Sequence, residues 1–127
     1  MIKISVNSTR KIEVIDITDP VERALSKETA SGATLIFCPH TTCAVTLNEY
    51  EPDLAADFEK IIQDHYNRTW KHDTHDGNAA AHLASSLFGH STTIPMEKGR
   101  LQMGIWQRVL LLEGNGPRQR QVWIQTP

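Results

Sequence analysis

Apolar residues fall on every second position at the start of the chain, Ile2, Ile4 and Val6 on one side, and the pattern resumes from Lys11 to Thr18. A period of two marks a strand with one face buried, and Asn7-Ser8-Thr9-Arg10 between the two runs is turn-like, so a β-hairpin is expected to open the chain. Thr18-Asp19-Pro20 offers a cap with proline at the first helical position. A short amphipathic helix through Val21, Ala24 and Leu25 follows, ending before Gly32. Two strands come next, Ala33 to Cys38 and Cys43 to Asn48, linked by Pro39-His40-Thr41-Thr42. Proline cannot donate to a sheet ladder, which puts His40 at a strand end or in a turn.

From Glu51-Pro52 the period changes to that of a helix. Leu54, Phe58, Ile61 and Ile62 share one face, and Asp53, Asp57, Glu59, Lys60 and Asp64 are left for solvent. Tyr66 to Asp76 is a polar connector. A second, shorter helix starts at Gly77 or Asn78 as cap and runs to Phe88, where Gly89 stops it. Ser91 to Met96 and Arg100 to Gln102 are short strand candidates around Glu97-Lys98-Gly99. Ile105 to Glu113 is apolar with little alternation, the mark of a strand covered on both faces. After the turn at Gly114-Asn115-Gly116-Pro117, Arg118 to Thr126 is expected to carry Arg and Gln outward and Val122 and Ile124 inward. The order β-β-α-β-β-α-(short α)-β-β-β predicts an α+β fold in which two sheets pack as a β-sandwich of about seven strands, with two main helices and one short helix.

Length and charge narrow the range of functions. The chain has 127 residues, one domain over 1–127, and a formal net charge of −2. Lys and Arg are scattered rather than striped, so no nucleic-acid partner is expected. No apolar run reaches the roughly 18–20 residues of a membrane span, and the N-terminus lacks a signal-peptide core, so a cytoplasmic location is expected. Cys38 and Cys43 lie in or beside apolar strands without a further metal-type pair, and read as buried free thiols.

Three groupings carry chemistry. Trp70 to Gly89 packs His72, His75 and His82 into one stretch, and with His40 three imidazoles (His40, His72 or His75, and His82) could converge on a metal or an anion. Three protein nitrogens and one open position suit a catalytic divalent metal. The second grouping is acidic. Glu51 and Asp53 are explained by the helix N-terminus they open, whereas Glu49 lacks that reason and is the better site carboxylate. The third suits an anion: free N–H groups at the Asn78 helix start, the hydroxyls of Thr41, Thr42, Ser85 and Ser86, and Arg118. No Gly-x-Ser-x-Gly elbow is present, and Cys43 lacks an electropositive setting, which argues against a Ser or Cys hydrolase.

The stretches PHTTCAVTLNE (39–49), HDGNAAAHLASSLFGHSTTIP (75–95) and KGRLQMGIWQRVLLLEGNGPRQRQV (98–122) resemble the YjbQ family. The resemblance implies a seven-stranded two-sheet sandwich, association as a homotrimer, and a thiamine-phosphate synthase activity that joins a hydroxymethylpyrimidine pyrophosphate to a thiazole phosphate. By position it marks His40, His72 and His82, together with Asn48, Glu49, Ser85 and Arg118, as site residues. Gly104, Trp106 and Gln107 also fall on family motifs and suit sandwich and subunit contacts.

The combined expectation is an enzyme for a small anionic or phosphorylated molecule. His40, Glu49 and His82 are the catalytic candidates, and Thr41, Asn78, Ser85 and Arg118 the substrate-binding ones. His40, His72 and His82 are the metal candidates, for zinc or a neighbouring metal, or magnesium if the synthase reading holds. The alternatives are a non-enzymatic trimer that binds an anion or metal at subunit junctions, and a metal-assisted hydrolase.

Overall fold

The computed structural model describes residues 1–127 as two antiparallel sheets and a helical layer. Eight strands form: β1 (Ile2–Asn7), β2 (Glu13–Asp16), β3 (Gly32–Phe37), β4 (Cys43–Asn48), β5 (Ser91–Glu97), β6 (Arg100–Leu101), β7 (Arg108–Glu113) and β8 (Gln119–Gln125). One sheet has the order β1-β8-β3-β5-β6 and the other β2-β7-β4. The α+β sandwich expected from the sequence is therefore the fold, with the two-residue β6 as an eighth strand.

The opening hairpin does not form. β1 pairs with β8 and β2 with β7, in different sheets. A tight hairpin needs positive-φ residues at its turn, and none occurs between Asn7 and Ile12. That segment instead crosses from one sheet to the other, with Ser8 N–H donating to Arg118 O at 3.0 Å.

The alternation within β7 explains the two cores. Val109 and Leu111 face the other sheet, where Ile36, Ile94, Val122 and Ile124 meet them. Leu110 and Leu112 face the opposite way, toward Ile62 and Ala84 of the helices. Every residue from Val109 to Glu113 is buried, as expected of a strand covered on both faces. The strand begins only at Arg108, however, and Ile105 and Trp106, expected within it, lie in the preceding loop at 89% and 69% exposure.

Helix α1 (Thr18–Ala24) closes one edge of the sandwich through Val21. Thr18 does not cap it: its hydroxyl accepts from Val109 N–H at 2.8 Å, and Asp16 Oδ1 accepts from Thr18 N–H at 3.0 Å. Helix α2 (Pro52–Tyr66) is capped by Glu51, whose carboxylate accepts from Asp53 and Leu54 N–H at 2.9 and 2.8 Å. This confirms the N-terminal role read for Glu51. Helix α3 (Ala79–Phe88) packs on β4 and α2. Within the polar connector, a single 3₁₀ turn forms over Lys71–Thr74. No helix is long and apolar enough to cross a membrane.

Candidate functional site

β3 and β4 belong to different sheets, so the Pro39–Thr42 link spans the end of the sandwich, and three anchors fix it there. Ser85 Oγ lies 2.6 Å from Thr41 O, Gly114 N–H donates to Thr42 O at 3.1 Å, and Arg120 Nη2 donates to Thr42 Oγ1 at 2.8 Å. Ser85, a predicted substrate contact, is 3% exposed and spends its hydroxyl on this loop. Gly114 leaves little room for a side chain: a Cβ there would stand 3.0 Å from Ala81 Cβ. Ala79, Ala80 and Ala81 are buried, and their small side chains let the start of α3 approach the loop closely.

The result is a polar cleft of about 420 Å³ that contains His40, Thr41, Asn78, His82 and Arg118, five of the residues expected in the site. The Arg118 guanidinium is exposed and makes no ion pair or hydrogen bond within the protomer. Asn78 stands at the N-cap of α3 but does not cap it. Asp73 Oδ1 accepts from Ala79 N–H at 3.1 Å instead, and the Asn78 side-chain oxygen is buried without a partner. A buried acceptor without a donor costs free energy of order 1–3 kcal/mol.

His40 is held in one state. Gln121 N–H donates to its Nε2 at 2.9 Å, which requires a lone pair on Nε2 and puts the ring proton on Nδ1. Burial, reinforced by the neighbouring Arg120 cation, pushes the His40 pKa down. His40 is thus a neutral imidazole near pH 7, with Nδ1–H as its remaining donor.

His72 lies on the other side of His82. The two rings meet edge to face with centroids 4.9 Å apart, and His75 lies tilted against His72 with centroids 5.4 Å apart. Trp70, His72, His82 and Leu83 line a second recess of about 440 Å³, so His82 forms the wall between two cavities. The three imidazoles do not converge as one donor set. His40 Nε2 is already committed to Gln121, and no three His, Cys, Asp or Glu side chains of the protomer lie at metal-binding separation. The residues of this chain do not fit a three-ligand metal centre.

Glu49 is also apart from the cleft. In the β4–β7 register Cys43 faces Glu113 and Asn48 faces Arg108, so Glu49 lies at the far end of the strand from the His40 loop. Along that direction five residues span about 17 Å at ~3.4 Å per residue. Glu49 is exposed there. Cys38 and Cys43 are buried free thiols, as read from the sequence.

Two residues of the site escaped the sequence reading. Arg120, expected to point outward, is 3% exposed, and Glu113 is fully buried. Arg120 Nε donates to Glu113 Oε2 at 2.7 Å and Nη2 to Oε1, and Ser8 Oγ and Asn115 N–H add bonds of 2.9 Å to the same carboxylate. The alternation itself held the signal: Arg120 has the parity of Val122 and Ile124, and Glu113 that of Val109 and Leu111.

Residues 2–127 match the family model described as UPF0047 protein YjbQ-like. A UPF0047 protein of Archaeoglobus fulgidus is 42% identical over 97% of this chain and 98% of its own length. YugU of Bacillus subtilis is also 42% identical, over 96% and 95%. A hypothetical protein of Aeropyrum pernix K1, solved by crystallography, superposes with a TM-score of 0.91 at 40% identity, covering 97% of this chain and 94% of that one. Matched from end to end in sequence and in fold, the chain belongs to the YjbQ-like UPF0047 family.

Proposed function

We propose that the protein binds a phosphate-bearing small molecule in the His40–Arg118 cleft and acts on it as a transferase of the thiamine-phosphate synthase kind. The observation that carries this reading is the pairing of a free guanidinium, Arg118, with a buried and partnerless acceptor, Asn78 Oδ1, in one cleft. A ligand that answers both has an anionic group and a hydrogen-bond donor, which describes a phosphate ester with a hydroxyl, amino group or protonated oxygen. His40 Nδ1–H adds a neutral donor for a phosphate oxygen, and His82 stands between the cleft and the Trp70 recess, where it can pass a proton to a departing oxygen. Departure of pyrophosphate needs positioning and charge stabilisation more than covalent catalysis, and Arg118 supplies a bidentate fork for that charge.

Assembly as a homotrimer belongs to the same reading. Ile105 and Trp106 form an exposed apolar pair suited to a subunit contact. Glu49 is far from the His40 cleft of its own chain, so both act in one site only if neighbouring subunits share it. Such a junction is also where a zinc-type metal would have to complete its ligand set beyond His72 and His82. A non-enzymatic anion-binding trimer is the second reading. It is favoured by the His40–Gln121 bond, which removes Nε2 as a base.

Growth rescue of a thiamine-requiring strain separates the readings. The synthase reading expects rescue by the wild type and loss with His82→Ala and Arg118→Ala. Rescue that survives both substitutions overturns it, and tight pyrophosphate binding without any rescue supports the binder. Light scattering that returns a single protomer removes the shared site.

A further inference from the structure

A second cleft, of about 680 Å³, lies between α1 and the β5–β6 turn. It is far from the first: Arg108 at one end of β7 lines it, whereas Glu113 at the other end pairs with Arg120 of the His40 cleft. Four cations reach it, Arg23 from α1, Lys98 and Arg100 from the turn, and Arg108 from β7, on a chain whose net charge is −2. Arg108 is already satisfied, by Asp16 at 2.8 Å and Asp19 at 3.2 Å. Arg23, Lys98 and Arg100 have no ion pair in the protomer, and Glu22 is the one lining carboxylate without a cation.

The turn that presents Lys98 and Arg100 is built at a cost. Lys98 has φ 49°, a left-handed conformation uncommon for a side-chain-bearing residue. Gly99 follows at φ 78° and is buried against the segment that follows α1, where a Cβ would stand 2.3 Å from Glu28 O and 2.9 Å from Leu25 O. No other residue fits there, so the turn places Lys98 and Arg100 at the cleft that Arg23 also lines. Unpaired like charges that line one concave site focus a positive potential that an anion relieves. Positive φ at both residues is what the two-residue turn joining β5 to β6 requires.

We propose that this cleft is a second anion site, which takes a compact polyanion of the pyrophosphate class between Arg23, Lys98 and Arg100. It does not depend on the His40 cleft or on any activity there. Calorimetric titration of the full-length protein with inorganic pyrophosphate at low salt tests it. Two binding events per chain are expected. Arg118→Ala should remove one, and Lys98→Glu with Arg100→Glu the other, each leaving its counterpart intact. Glu22→Gln, which deletes the opposing carboxylate, should tighten the second event about threefold, with a melting curve and circular dichroism matching the wild type. Binding that is unchanged in both the Lys98→Glu/Arg100→Glu and the Glu22→Gln variants overturns the proposal. So does a single event that only Arg118→Ala abolishes. Loss of both events in Arg118→Ala alone would also overturn it, because the sites would not be independent.

Discussion

Arg120 grips the Glu113 carboxylate with two nitrogens, Nε on Oε2 at 2.7 Å and Nη2 on Oε1, inside the inter-sheet core that also holds Val122 and Leu111. Nη2 bonds Thr42 as well, two residues from His40, so one buried ion pair ties the sandwich to the loop of the candidate site. Its energetics differ from those of a surface pair. Removing one partner leaves a buried charge alone, which costs far more than the pair gains over an apolar replacement. Arg120→Met is therefore expected to destabilise the fold by about 3–5 kcal/mol, and the double variant Arg120→Met/Glu113→Leu to recover most of the loss. Urea unfolding of the two variants measures both, and equal losses would contradict the pairing.

The same pair sets an acid limit. Burial works to raise the Glu113 pKa, but the bond from Arg120, the Asn115 N–H, the Arg120 charge and the Ser8 hydroxyl together hold it below the usual carboxylate value. A depressed carboxylate gives stability that is present above its unfolded pKa and lost as pH falls through the folded one. Stability should therefore drop below about pH 4.5, the ordinary range of glutamate. The slope should be shallower in the Arg120→Met/Glu113→Leu double variant, as read from denaturation midpoints between pH 3 and 6.

His40 is expected to remain neutral, with its proton on Nδ1, below the pH where an ordinary histidine titrates, about 6.5. The unfolded chain then takes up the proton first, so His40 contributes stability above that pH that is lost as acid charges the ring. Nitrogen chemical shifts of the ring report both the tautomer and the titration. A proton on Nε2 at pH 7 would contradict the Gln121 bond.

Arg118→Ala is expected to weaken pyrophosphate binding in the His40 cleft by at least tenfold, in line with the ~1.5–3 kcal/mol of a hydrogen bond to a charged group. Unfolding stability should stay within about 0.5 kcal/mol of the wild type, because the exposed side chain bonds nothing in the protomer. Arg118→Lys should recover part of the affinity, since lysine keeps the charge but not the fork. Calorimetry and thermal unfolding check the two halves separately.

Ser85→Ala removes the hydroxyl that holds Thr41 O at 2.6 Å and leaves that carbonyl without its protein donor. The expected cost is about 1–2 kcal/mol, with ligand affinity in the His40 cleft falling as well. Loss of affinity without any loss of stability would instead make Ser85 a direct ligand contact.

Much of this could be read from the order of the residues. Periods of two and of about four located the strands and both main helices, the double-sided burial of β7 followed from its apolar run, and Glu51 was placed at the start of α2, where negative charge is favoured. His40, Thr41, Asn78, His82 and Arg118 were each singled out by residue type and motif position, whereas their sharing of one cleft is a product of the fold. These are properties of single segments, fixed by local sterics and by which side chains avoid water.

Only the tertiary structure decided the rest. Whether β1 pairs with β2 or β8 depends on which partner completes a buried face, and the choice moved Ser8 beside Glu113. The direction of β4 set Glu49 at the opposite end of the sandwich from His40. His40 lost its Nε2 to a backbone N–H of a strand 81 residues away, and with it a place in a three-histidine metal centre. Arg120 went inward because the Thr42 loop and a buried carboxylate, itself held by Ser8 and Asn115, were there to receive it. A charge can leave water only where such partners converge, and which partners converge is settled by packing.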